Sequence, residues 1–173
     1  MGKSNNWRAF KHRNYRILYP ASTLSNIGNW AQRIAQDWLV LQLTGSALDL
    51  GLVTGLQFAP TLLFSVYGGM LADRFDKRKL LAITNAGAGL VSLLLGILVI
   101  TKTVQISHVF VLAAVLGLFN AIDAPIRTSF TSELVGKADI PNAISLNSAN
   151  FNVGRLIGPA VSGLLIAAFG TGP

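Results

Sequence analysis

Six charged residues fall within seven positions at Asp73-Arg74-Phe75-Asp76-Lys77-Arg78-Lys79, between two long apolar runs. Residues 48–71 carry only Asp49 as a charge and residues 80–101 carry none. Side chains of this kind do no covalent chemistry in such a place; they fix which side of a membrane the loop lies on and what docks against it. A second constellation, Asn26, Asn29, Arg33, Gln36 and Asp37, recurs at helical spacing inside another apolar stretch and falls on one helix face. A charge at the bilayer centre costs roughly 2.5–3.5 kcal/mol, so Arg33 and Asp37 imply a wet or paired setting. There, a carboxylate that exchanges its proton with one side at a time would couple transport to a proton gradient; near the outer interface Asp37 would simply be solvated. A third pair, Asp123 and Arg127, is spaced at i and i+4 near a helix end on the side of the charged loop. Asp123 is expected either to hold that loop by pairing with Arg74 or Arg78, or to form an ordinary interfacial pair.

The elements that must position these residues follow from composition. The chain has 173 residues, of which 51% are hydrophobic and only 12% charged, the balance of a membrane protein. Five helices are expected, at about 17–43, 48–72, 80–101, 107–127 and 141–169. They make an all-α membrane bundle, a transmembrane domain over residues 17–173 behind a basic leader at 1–16. Pro60 is expected to kink the second helix, and residues 128–140 read as an interfacial connector. The net charge of +7 does not point to nucleic acid, because nine of the fourteen Lys and Arg lie at 3–16 and 74–79, beside apolar segments. The leader, from Lys3 to Arg16, and the charged loop are therefore placed in the cytoplasm, as parts of a multi-pass protein of the cytoplasmic (inner) membrane. No cysteine is present, so disulfides and Cys-ligated metals are excluded, and no metal site is expected. No nucleophile elbow, zinc-protease pair or phosphate loop occurs, so an enzyme is not expected.

The charged loop resembles the signature of the major facilitator superfamily of secondary transporters, in the loop between its second and third helices. Gly69, Asp73, Arg74, Lys77 and Arg78 occupy its positions, and Asp76 stands where the signature has a second glycine. The Asp123-Ala124-Pro125-Ile126-Arg127 run and the opening of the fifth helix at Pro141-Asn142-Ala143 resemble the branch of enterobactin and macrolide exporters. Gly154, Gly158, Pro159 and Gly163 resemble the antiporter motif of the fifth helix, with Ser145 and Ser162 in place of two of its glycines.

The resemblance implies the N-terminal half of a twelve-helix transporter, cut before helix six, that exports a small molecule by alternating access. No cofactor is implied beyond a proton gradient. The implied partners are the lipid bilayer, a small-molecule substrate and a missing C-terminal or partner half, onto which the Asp73 loop would latch. The alternatives for Asp73 are a local partner, Arg74 or Arg78, or a plain topogenic loop. The alternative for the whole chain is a truncated or half-size membrane protein that acts only by association.

Overall fold

The computed structural model describes residues 7–170; Lys3 and the start of the leader, and residues 171–173, lie outside them. Five long helices follow a short 3-10 turn at Arg8–Lys11: α1 Arg13–Thr44, α2 Ala47–Arg74, α3 Lys77–Ile100, α4 Ile106–Val135 and α5 Ile140–Phe169. No strand occurs among the described residues. The helices α2 to α5 are each long and apolar enough to cross a membrane. The polar series that marks α1 in the sequence keeps it outside that set.

Local chemistry sets the boundaries. Gly45 takes φ +63° and closes α1, and the Ser46 hydroxyl caps α2 by accepting from the Asp49 amide at 3.2 Å. The charged loop is shorter than expected. α2 runs on through Arg74, and α3 starts at Lys77 because the Asp76 carboxylate caps it, accepting from the Lys79 amide at 2.9 Å. Asp76 thus has a local task that a glycine could not perform. The expected connector at 128–140 is also largely helical. α4 continues two turns past Arg127, with Thr131 and Val135 buried and Glu133 paired to Lys77 at 2.6 Å.

The bundle is built on two close pairs, α2 with α4 and α1 with α5, with α3 packed on α4. Leu39, Val53, Val91, Leu95, Val109 and Leu116 form the main core between α1, α2, α3 and α4. At the other end, the leader's Ala9 and Tyr15 pack on Val135 and Ala143, and Asp139 ties the leader down by accepting from Arg8 and His12, each at 3.1 Å. Most large apolar side chains on the outer helix faces remain exposed, as a lipid-facing surface requires.

Small residues set the closest approach. A Cβ at Gly117 would lie 2.8 Å from the Leu56 carbonyl oxygen and 2.9 Å from that of Gln57. Both obstacles are backbone, so α2 and α4 would have to part. Gly117→Ala is expected to lower stability in detergent by up to about 2 kcal/mol, an overpacking cost of about 1–3 kcal/mol less about 1 kcal/mol of helix propensity gained. Gly163→Ala, with nothing within 4 Å of its Cβ, should leave stability unchanged or slightly raised. Equal unfolding temperatures for the two variants would refute the close packing of α2 on α4.

Candidate functional site

A cleft of about 390 Å³ opens between α1, α2, α4 and α5. Its polar lining comes from Asn26, Asn29 and Arg33 of α1, Asn120, Asp123 and Arg127 of α4, and Asn147 and Asn150 of α5; Trp30, Phe58 and Phe151 supply its apolar walls. Apolar side chains face outward from the same helices, while the polar groups are gathered in the cleft between them.

The best-connected group in it is Asp123. One of its oxygens accepts from Arg127 of the same helix, at 2.7 Å from Nη2 and 2.8 Å from Nε. The other accepts from Thr84 at 2.8 Å and Asn85 at 2.9 Å, both on α3. Arg127 in turn donates to the Ser22 hydroxyl of α1 at 2.8 Å. The expectation that Asp123 holds the charged loop through Arg74 or Arg78 is thereby corrected. Thr84 and Asn85 lie about two helical turns along α3 from Lys77, which puts Asp123 roughly 10 Å inside the loop. The link between loop and α4 is instead Lys77 with Glu133. Asp73, Arg74 and Arg78 are exposed, and the Asp73 side chain makes no hydrogen bond or ion pair among the described residues, with Arg74 and Arg78 included.

Arg33 and Asp37 part company. The Arg33 guanidinium lies over the Phe58 ring at 4.4 Å and the Trp30 ring at 5.3 Å, in the cleft. Asp37 lines a different hollow, of about 510 Å³, with Trp38, Thr54 and Gly163. Its carboxylate accepts from Gln57 at 3.5 Å. Gln57 also donates to Gln36 at 3.2 Å, and Gln36 to the Val109 carbonyl at 3.2 Å, so two glutamines, each 2% exposed, bind α1, α2 and α4 together. Gln57 escaped the sequence reading, although a lone amide within an apolar span was the available signal.

The glycines also divide. A Cβ at Gly154 would lie 3.0 Å from the Asn26 side chain, and one at Gly158 would lie 2.5 Å from Trp30 Cβ and 2.9 Å from the Ala31 amide. These two let α5 approach α1 and seat Trp30, with Pro159 in the same helix. Gly163, the third glycine of that series, meets nothing within 4 Å. At the loop, Gly68 is the packed glycine, 2.6 Å from Pro125 and 3.0 Å from the Ile122 Cα by the same construction, whereas Gly69 faces open space.

Against known families, the transmembrane secretion effector model of the major facilitator superfamily matches residues 4–172. The chain belongs to that family. It is 34% identical to the staphyloferrin A transporter of Staphylococcus aureus over 155 residues, which cover 89% of this chain and 39% of the relative. It is 32% identical over 159 residues to the multidrug efflux pump Tap of Mycolicibacterium fortuitum, again 89% and 39% of the two chains. The enterobactin exporter EntS of Shigella flexneri is 26% identical over 161 residues, covering 92% of this chain and 39% of that one. The chain therefore spans about two-fifths of the length of these relatives. No solved structure matches it. As a family member it is a multi-pass membrane protein, and its relatives are transporters rather than enzymes.

Proposed function

We propose that the chain forms the first five spans of a secondary transporter that exports a small molecule across the cytoplasmic membrane, driven by the proton gradient and working by alternating access. The observation that carries this reading is the cleft: polar side chains from four helices, Thr61 of α2 among them, converge on one space in a bundle whose outer faces are apolar. Membership in a family whose relatives are transporters and efflux pumps supports it. α1 serves as the fifth span. Its 32 residues reach about 48 Å, more than the ~30 Å hydrocarbon core, and its polar side chains line the two hollows rather than the lipid face. The basic leader and the α2–α3 junction lie in the cytoplasm. Further helices, from the remainder of a longer chain or from a partner, complete the pathway.

In this reading Asp37 carries the coupled proton. It lines a hollow of its own, and Gln57 holds its carboxylate without neutralising it. The test is export from vesicles by the complete transporter under imposed proton gradients. Wild type should export in proportion to the gradient and stop when a protonophore collapses it. Asp37→Asn should lose that dependence. Export indifferent to the gradient in wild type would remove proton coupling altogether, and an unaltered dependence in Asp37→Asn would remove Asp37 from it.

A further inference from the structure

The cleft holds a positive charge that no carboxylate contacts among the described residues. Three ionised side chains line it, Arg33, Asp123 and Arg127. Asp123 and Arg127 neutralise one another, and Asp123 has both oxygens engaged by Arg127, Thr84 and Asn85. Arg33 is left. Among the described residues no carboxylate lies within 4 Å of it, and the nearest acid along its helix, Asp37, lines the other hollow and accepts from Gln57. Phe58 and Trp30 flank the guanidinium. Stacking engages its flat face, whereas its five N–H donors point outward in the plane, where they match a two-oxygen anion.

A second observation lies in the same cleft and does not depend on Arg33. Asn150 is 5% exposed, and its Oδ1 is buried without a hydrogen-bond partner. A buried amide oxygen left open costs about 1–3 kcal/mol unless something donates to it. Its own backbone carbonyl is already taken by Asn26 at 3.1 Å, so the side chain is the open end. The rings of Trp30 and Phe151 line the same cleft, edge to face at 5.6 Å.

We infer that this cleft binds an organic anion: a ring-bearing carboxylate or sulfonate whose acidic head sits on Arg33, whose ring packs among Trp30, Phe58 and Phe151, and whose hydroxyl donates to Asn150. The inference rests on the transport reading above and names the substrate class of the same cleft. A lipophilic cation would find Arg33 already over the Phe58 and Trp30 rings, and the one carboxylate that lines the cleft among the described residues is engaged on both oxygens.

The test uses two probes of matched shape and opposite charge, 4-hydroxybenzenesulfonate and (4-hydroxyphenyl)trimethylammonium, with the complete transporter purified in detergent and then placed in liposomes. Equilibrium binding should favour the sulfonate. Arg33→Gln should weaken it about 10- to 100-fold, the range for a lost hydrogen bond to a charged group, and Arg33→Lys should fall between. Asn150→Leu should weaken the hydroxylated probe but not benzenesulfonate. Preference of wild type for the ammonium probe, which needs no variant to fold, overturns the inference and leaves transport standing. Sulfonate binding unchanged in a folded Arg33→Gln overturns it equally. Sulfonate binding that behaves as expected, with no gradient-driven movement into liposomes, keeps the anion site and removes the transport reading.

Discussion

Asp123→Ala is expected to lower the unfolding free energy by about 3 kcal/mol, the low end of the 3–5 kcal/mol typical when one partner of a buried ion pair is removed. The low end applies because the two side chains keep 17% and 24% of their exposure, so water in the cleft relieves part of the loss. Hydrogen bonds alone would give less. Interhelical hydrogen bonds in membranes average about 0.6 kcal/mol, so losing those from Thr84 and Asn85 accounts for roughly 1 kcal/mol. The remainder comes from leaving Arg127 charged and unpaired. Arg127→Ala should cost a comparable amount, and the double variant clearly less than the sum, with a coupling of about 1.5 kcal/mol or more. Asp123→Asn, which keeps an acceptor for α3 but no charge, should fall between wild type and Asp123→Ala. The measurement is reversible unfolding in mixed micelles followed by circular dichroism. Additive single variants, or an Asp123→Ala protein within about 0.5 kcal/mol of wild type, would show that the pair does not join α1, α3 and α4.

The two i, i+4 pairs illustrate what the sequence made legible and what it did not. Asp123 with Arg127 and Arg33 with Asp37 have the same spacing and opposite order. Helical side chains lean toward the N-terminus, so a long Arg placed after an Asp reaches back to it. An Arg placed before an Asp leans away, toward Trp30, and the short Asp cannot follow. Spacing alone suggested both pairs; order decides which forms. Helix number and rough extent were readable because apolar runs of bilayer length have few alternatives. The boundaries moved at Asp76, which caps α3, and beyond Arg127, where Thr131 and Val135 of α4 are buried and Glu133 pairs with Lys77. Cleft and hollow could not be told apart in advance, because Arg33 and Asp37 share a helix face and are separated by what α2 presents to each, Phe58 to the one and Gln57 to the other. The glycines were readable as a class and not one by one. A sequence shows that a backbone can approach at Gly68, Gly69, Gly154, Gly158 or Gly163, and only the packed helices show where one does.

Asp73→Asn is expected to slow transport by the complete protein about tenfold or more while leaving membrane insertion and thermal stability within about 0.5 kcal/mol of wild type. The separation of the two effects follows from where Asp73 stands. It is exposed at the C-terminal end of α2, where the helix dipole disfavours a carboxylate, and no described residue pairs with it. One turn earlier on the same face, Gly69 meets nothing, although its neighbour Gly68 is pressed against Ile122 and Pro125. A smooth face ending in an unanswered carboxylate suits a contact outside these five helices, and the N-terminal end of another helix supplies the complementary charge. In the alternating-access reading that contact stabilises one of the two end states, and a coupling of about 1–3 kcal/mol shifts their ratio 5- to 150-fold. Gly69→Leu should act in the same way, since a Cβ there meets nothing within 4 Å among the described residues and a larger side chain would obstruct a docking partner. Transport at the wild-type rate in Asp73→Asn would remove the contact. A loss of stability in step with the loss of transport would make Asp73 a residue of the fold instead.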